Sequence, residues 1–281
     1  MVLGSSGLIG HQIYLHLKTF DEYELHDLSK TRRLTADSIL LDMRNEHDLD
    51  QLILAIRPHY IINCVGVLIE AAKKDPENAI FLNAYMPNHL MHMADRIDAK
   101  LIHISTDCVF SGKKGQYTED DEPDGTSIYA KTKALGEIKN TKHLTLRTSV
   151  VGPELKSEGE ELFHWFMTSK GVINGYKKSI WSGVTTIELA KAVKRAIDKN
   201  TVGLYHITNG TPICKYDLLE LFKKYSLHDI RIIPVDGVIS DKSFIDNRKE
   251  FDYTIPPYDD MIKNMFAYMA ENKNIYLQYM S

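Results

Sequence analysis

Two hydroxyls and an amine frame the chemistry this sequence could carry. Ser105-Thr106-Asp107 closes an apolar run, Leu101-Ile102-His103-Ile104, and Tyr129 follows Thr106 by 23 positions. Lys133 comes four residues after Tyr129, so on a helix the two share a face and can enter one cleft. An ammonium beside a phenol favours the phenolate and is expected to draw the Tyr129 pKa down from roughly 10. Thr106 is placed to hold a carbonyl oxygen by hydrogen bond. Tyr129 could then give its proton to that oxygen while a hydride arrives at the carbon. The spacing alone is not specific. Tyr14 and Lys18 repeat it inside the first predicted helix, where an ordinary amphipathic surface is expected.

A hydride needs a donor, and the N-terminus offers a place for one. Met1-Val2-Leu3 is a short strand entering Gly4-Ser5-Ser6-Gly7-Leu8-Ile9-Gly10, and an apolar helical pattern follows. Strand, glycine loop and helix is the setting a dinucleotide site demands. Gly4 permits the tight turn, Gly7 lets backbone approach a pyrophosphate, and Gly10 lets helix pack on strand. Ser6, Leu8 and Ile9 bring N–H groups of the loop and first helical turn toward the phosphates. The opening strand is short enough to suggest a start further upstream.

Tyr23 to Leu28 reads as the second strand, with Asp27 near its end and Arg32 and Arg33 just beyond. An acid there would hold the adenosine ribose diol, and a basic residue would accept a 2′-phosphate. Both are present, and the arginines tilt the reading toward NADPH, with NADH still possible. A third strand, Ile39 to Leu41, ends in Asp42, which could approach the adenine. Leu49 to Arg57 is a helix stopped by Pro58. Tyr60 to Asn63 is a buried strand, and Cys64-Val65-Gly66 at its end leaves room for a cofactor. Ala79 to Ile97 reads as one long helix carrying Asn83. Ser105, closing the next strand, faces the same crevice. Strands alternating with helices predict an α/β fold, a Rossmann-type doubly wound parallel sheet.

The loop from Lys113 to Thr126 reads as solvent-exposed, and the Tyr129 helix is expected to run to about Lys139. Residues 1–150 then form the dinucleotide-binding domain. Residues 151–281 form mainly a smaller C-terminal substrate-binding lobe, with about 184–208 returning to the first domain. In the lobe, Trp165 and Phe166 read as core. The tail from Ile275 onward carries two tyrosines and no recognisable signal.

Composition narrows the partners. The 281 residues carry a net charge of -4 with pI near 6.3, so nothing points to nucleic acid. No apolar run approaches the roughly 18 residues of a membrane span, and no signal peptide is expected. Three scattered cysteines, Cys64, Cys108 and Cys214, fit a reducing cytoplasm and read as small hydrophobes. No His or Cys spacing suggests a metal.

Taken in order, Gly-x-x-Gly-x-x-Gly, Ser105-Thr106-Asp107-Cys108-Val109-Phe110-Ser111-Gly112, Tyr129-x-x-x-Lys133 and Leu144-Thr145-Leu146-Arg147-Thr148-Ser149 form a pattern. It resembles the extended short-chain dehydrogenase/reductase superfamily, and within it the dTDP-4-dehydrorhamnose reductases. The resemblance runs from the Gly4 loop to the strand around Tyr205. It implies NAD(P)H-dependent reduction of a 4-keto-6-deoxy sugar nucleotide, in deoxysugar synthesis for surface polysaccharide. Thr106 would polarise the ketone, Tyr129 would be the acid, and Lys133 would bind the nicotinamide ribose and tune Tyr129. Asp107, Val109, Phe110, Trp181 and Thr185 match stretches that line the sugar-nucleotide cleft.

Departures mark where specificity could differ. Relatives usually carry Tyr at the place of Cys108, and Trp-Val-Tyr where Val150-Val151-Gly152 stand. Some bridge a homodimer through magnesium and glutamates. Gln12 occupies the corresponding first-helix position, so no metal is expected, and a homodimer stays open. A 4,6-dehydratase would need a Glu where Cys108 stands. An epimerase uses the same Tyr and Lys and remains an alternative. So does a non-catalytic NADP-binding regulatory subunit, as in methionine adenosyltransferase.

Overall fold

The computed structural model describes residues 1–226, 228–245, 247 and 250–279. Within them, seven strands pair in parallel into one sheet. In chain order these are β1 (Val2–Leu3), β2 (Asp27–Ser29), β3 (Ile39–Leu40), β4 (Tyr60–Asn63), β5 (Lys100–Thr106), β6 (Leu144–Thr148) and a last strand, Gly203–His206. Spatially they run Gly203–His206, β6, β5, β4, β1, β2, β3. The chain winds outward from β1 in one direction to β3, then crosses back to β4 and winds the other way. A crevice therefore opens at the carboxyl ends of β1 and β4, where loops leave in opposite directions.

Helices cover both faces. The first helix, α1 (Leu8–Leu17), packs on the Thr186–Asp198 helix over one core, with Ile13, Leu17, Leu189 and Val193 fully buried. Leu49, Ile53, Leu90 and Met93 fill the core on the other face. The strands β2 and β3 are shorter than their sequence patterns. β2 spans Asp27–Ser29 rather than Tyr23–Leu28, because its ladder partner β1 offers only Val2 and Leu3. Asp27 consequently opens the strand, opposite Val2, instead of closing it.

Three further segments depart from expectation. The long helix over Ala79–Ile97 is three pieces: a turn at Pro76–Ala79, a π-helical stretch at Ile80–Tyr85, and an α-helix at Met86–Arg96. The Tyr129 helix spans Ile128–Leu135 and stops at Gly136, where an added Cβ would lie 2.0 Å from the Asn83 carbonyl oxygen. The loop from Lys113 is not a free solvent loop. Tyr117 is buried, stacked on Phe110 with centroids 4.1 Å apart, and Glu119 accepts from the His206 N–H at 3.0 Å. Of the expected aromatic core pair, Phe166 is buried but Trp165 is 42% exposed.

Beyond β6 the chain builds small sheets outside the main one. Val150–Val151 pairs with Val184–Thr185, Gly171–Tyr176 with Ile230–Val235, and Ser179–Trp181 sits between Ile213–Cys214 and Ser240–Asp241.

Candidate active site

The site grows from the end of β5. Every residue of that strand is buried, and it delivers Thr106 to the crevice. Thr106 then caps the following turn, Asp107–Val109: the Cys108 N–H donates to Thr106 Oγ1 at 3.1 Å. The Thr106 hydroxyl donates to Asp107 Oδ1 at 3.2 Å. Opposite stands the Ile128–Leu135 helix, started by Ser127, whose Oγ accepts from the Ala130 N–H at 3.1 Å. That cap fixes the helix phase and turns Tyr129 and Lys133 to the same buried side. Thr106 stands close enough to Tyr129 to favour the charged form of its phenol.

Lys133 is buried and donates from Nζ to the Ile104 carbonyl at 2.8 Å. His103 Nε2 lies 3.5 Å away. Gly66, after β4, completes the meeting point: an added Cβ would lie 3.3 Å from Asn83 Oδ1 and 3.9 Å from Lys133 Nζ. The Asn83 amide is already used. It accepts from the Val67 N–H at 2.7 Å and donates to the Val67 carbonyl at 3.0 Å and to Thr132 Oγ1 at 3.3 Å. The π-helical turn thereby ties the β4 loop to the Tyr129 helix.

Electrostatics differ from the expectation for Tyr129. Its pKa is pushed up, not down: burial is the largest cause, and Cys108 and Asp107 add to it. The nearby Thr106 hydroxyl opposes these. The Lys133 ammonium points at the Ile104 carbonyl, and burial brings its own pKa down to about 8. Glu137 and Cys64 pull it back up. His103 is held neutral by burial and by the Lys133 charge. Burial also raises Cys64 to about 12 and Cys108 to about 11, so both stay thiols at neutral pH.

The glycine loop sits beside this group. Gly4 has φ +82°, a conformation glycine adopts without strain, and an added Cβ would be 2.9 Å from Val65 Cγ2. At Gly10 a Cβ would lie 2.1 Å from the Gly4 carbonyl oxygen, so only glycine lets α1 pack this close. Gly7 is the N-cap of α1, with no side-chain cap and no acid in the first turn. The N–H groups and positive end of α1, next to Ser6, Leu8 and Ile9, suit a phosphate. The cradle and its surroundings fit a dinucleotide.

Other expected cofactor residues divide. Asp27 is buried and accepts from Ser5 Oγ at 2.5 Å, holding the loop's base. Arg32 reaches across to donate to the Leu155 carbonyl at 2.5 Å. Arg33 does not face the crevice. It folds back on its own loop, donating to the Ser38 and Ala36 carbonyls. Asp42 is likewise turned away, paired with Arg44 and with Lys30 at 3.0 Å, and these partners hold its carboxyl well below the usual range. Ser105 Oγ donates to Glu137 Oε1 at 2.8 Å. The Val65 N–H donates to Asn63 Oδ1 at 3.1 Å, shaping the turn that carries Cys64 and Gly66.

The expected substrate residues divide too. Asp107 remains at the mouth of the Thr106 turn. Trp181 is buried, 5.7 Å from the Tyr258 ring centroid. Val109 and Phe110 are packing instead: Phe110 is 1% exposed, enclosed by Tyr117, Phe244 and the Arg147 guanidinium. Thr185 is buried and caps the Thr186–Asp198 helix, accepting from the Glu188 N–H at 3.3 Å. Of the second Tyr-x-x-x-Lys, Tyr14 is buried in the core beneath α1 rather than on an amphipathic surface, and the exposed Lys18 ammonium lies 5.9 Å from its ring centroid.

Several participants were not foreseen. Glu137 lies four residues past Lys133, a spacing that could have flagged it. It pairs with buried Arg147 at 2.6 Å and anchors Ser105. His11 and Gln12 both contact the Tyr276 hydroxyl, at 3.1 and 2.8 Å. Tyr279 meets His164 Nδ1 at 2.7 Å and accepts from the Glu154 N–H at 3.2 Å. No periodicity marks tail residues that insert singly.

Comparison with known proteins extends these findings. The family model described as the RmlD substrate binding domain matches residues 1–238. Methionine adenosyltransferase 2 subunit beta of Xenopus laevis is 27% identical over 234 residues, covering 78% of this chain and 69% of that protein. The dTDP-4-dehydrorhamnose reductase of Aggregatibacter actinomycetemcomitans is 26% identical over 229 residues, covering 77% of this chain and 75% of its own. The crystal structure of dTDP-4-dehydrorhamnose reductase from Bacillus anthracis, in complex with NADP, superposes with a TM-score of 0.81. It is 23% identical and covers 95% of this chain and 97% of that one. A model that spans most of the chain and takes in the glycine loop, the Thr106 turn and the Tyr129 helix places this protein in the RmlD substrate binding domain family.

Proposed function

We propose that this chain is an NADPH-dependent reductase of a 4-keto-6-deoxy sugar nucleotide, of the dTDP-4-dehydrorhamnose reductase type. The convergence of Thr106, Tyr129 and Lys133, joined to the Gly4 loop through Val65 and Gly66, carries the reading. The loop residues Gly4, Ser6, Gly7, Leu8, Ile9 and Gly10 would hold the pyrophosphate. Asp27 and Arg32 flank the adenosine end, and Arg32 is the residue that favours a 2′-phosphate. Cys64, Val65, Gly66 and Asn83 border the middle of the crevice. When bound there, the reduced nicotinamide supplies the hydride.

The chain's own residues handle the proton. Thr106 holds the ketone oxygen by hydrogen bond. Tyr129 is protonated at neutral pH and gives its proton to that oxygen. The charge left on the phenolate is met by the Lys133 ammonium. Asp107 and Trp181 face the sugar from the side of the lobe formed by residues 151–281, apart from 184–208. Three free thiols suit a reducing cytoplasm.

The relatives among methionine adenosyltransferase beta subunits favour a second reading, an NADPH-binding regulatory module without turnover. NADPH oxidation measured against 4-keto-6-deoxy sugars on dTDP, UDP, GDP and CDP separates the two. Oxidation with one carrier is the expected result. Tight NADPH binding with no oxidation on any carrier would reject the reductase and leave the regulatory module.

A further inference from the structure

Two lysines from the C-terminal lobe approach the Thr106 turn, and neither entered the sequence reading. The segment around Lys242 is sewn to the loop that follows β5. The Asp241 N–H donates to the Gly112 carbonyl at 2.8 Å and the Tyr117 N–H to the Ser243 carbonyl at 2.8 Å. The Phe244 N–H donates to Ser182 Oγ at 2.7 Å. These bonds fix Lys242 with its Nζ 3.2 Å from Cys108 Sγ. Lys215 opens the Lys215–Ser226 helix, and its Nζ stands 5.1 Å from the centroid of the Trp181 ring.

Both ammonium groups lie in the fields of Asp107 and Cys108, which also act on Tyr129. Lys215 further feels Glu161 and the like charge of Lys242. Both lysines are partly withdrawn from water. Among the described residues, neither has a carboxylate within 4.0 Å. The buried Arg147, by contrast, has Glu137 at 2.6 Å. Burial holds Lys215 below the ordinary lysine range and the Lys242 charge adds to that, whereas at Lys242 burial is outweighed by Cys108 and Asp107, which hold it above that range. Lys215 in particular lacks a close counter-ion, and an anion bound beside it and Lys242 would supply one.

We propose that Lys215 and Lys242 form a cationic seat for the diphosphate of the sugar-nucleotide substrate. The seat rests on the reductase reading above, which requires such a substrate. The sugar of that substrate is neutral, so its phosphates are the anion available. Ammonium groups on two separate elements suit a ligand with charge and acceptor oxygens spread over two phosphates. In this arrangement the lobe anchors the phosphates while Thr106 and Tyr129 address the sugar. Cys108 assists by being small: relatives usually carry Tyr there, and the thiol leaves room for Lys242.

Calorimetric titration of the full chain with dTDP, UDP, GDP and CDP, and separately with NADPH, tests this. The wild type is expected to bind at least one nucleoside diphosphate. Lys215→Gln and Lys242→Gln should each weaken that binding roughly 10-fold or more, as for a lost hydrogen bond to a charged group. Lys215→Arg and Lys242→Arg should keep most of it, and NADPH affinity should hold in all four, which also reports folding. Unchanged diphosphate affinity in both Gln variants would overturn the seat and leave the substrate reading standing. Equal losses of NADPH and diphosphate would assign the lysines to the cofactor and overturn it as well. A wild type that binds NADPH and none of the four diphosphates would reject the substrate reading itself.

Discussion

Tyr129 holds its proton because it is buried, and in the proposed reaction the Lys133 ammonium meets the charge that its release leaves. Replacing Tyr129 by Phe keeps the ring in its packing and removes only the donor. Turnover is expected to fall roughly 10²-fold or more, while calorimetric NADPH affinity stays near wild type. Unchanged turnover would remove Tyr129 from the proton path. Lys133 makes a second, independent prediction. Burial lowers it to about 8, so its charge is present at neutral pH and is lost as pH rises through that value. The rate should therefore fall on the alkaline side of about pH 8. A guanidinium keeps its charge there, so Lys133→Arg should move the alkaline limb upward relative to its own maximum. An unmoved limb would mean that another group titrates. The Tyr-Lys pair was legible in the sequence because helical spacing determines which residues share a face. The direction of the Tyr129 shift was not, since it depends on how deeply the ring is enclosed and where the Lys133 ammonium points.

At the scale of elements, the strand ends do the positioning. β5 places Thr106 and Ser105, β6 places Arg147, and Glu137, just past the Gly136 stop of the helix carrying Lys133, joins them through its carboxylate. The side chains of Arg147 and Glu137 are 0% and 1% exposed. Removing one partner strands the other charge in the interior. Glu137→Gln is expected to cost about 3–5 kcal/mol in urea unfolding. Glu137→Leu combined with Arg147→Met, which removes both charges, should cost distinctly less than the single change. A single variant within about 1 kcal/mol of wild type would show that the pair does not hold these elements together. Alternating apolar runs made the strands and helices readable, and small residues after β4 marked the crevice. The π-helical turn at Ile80–Tyr85 was not readable, because one wider turn barely alters an apolar pattern. Yet that turn brings Asn83 to Val67 and Thr132. Arg33 and Asp42 were misplaced for a related reason. Loop side chains choose local partners, here the Ser38 carbonyl and Arg44, and sequence distance does not reveal the choice.

For the whole molecule, the doubly wound sheet follows from the order of strands and helices, whereas the contributions from the chain beyond β6 come from single residues far apart in sequence. Lys215, Lys242, Tyr276 and Tyr279 belong to no motif, and only the folded chain brings Lys242 to Cys108, Lys215 to Trp181, Tyr276 to α1 and Tyr279 to Glu154 and His164. Tyr276 links the tail to the start of the chain by contacting His11 on α1. His11 Nδ1–H donates to the Gly7 carbonyl at 2.8 Å, so the latch reaches the N-cap of the glycine loop. Burial is the main reason the His11 pKa falls from 6.5 to about 4, with Arg32 adding to it and the Gly7 bond opposing. Between these values the unfolded chain takes up a proton that the folded chain excludes. Stability must then rise with pH across that window, and it is lost as pH falls from about 6.5 toward 4. From pH 7 to pH 5 this one group should remove about 2 kcal/mol. His11→Asn deletes the titrating group, so the variant should lose about 2 kcal/mol less than wild type over the same interval in urea unfolding, even if it is less stable at pH 7. Parallel losses in the two proteins would mean that His11 is protonated as readily folded as unfolded, and that the tail does not seal it from water.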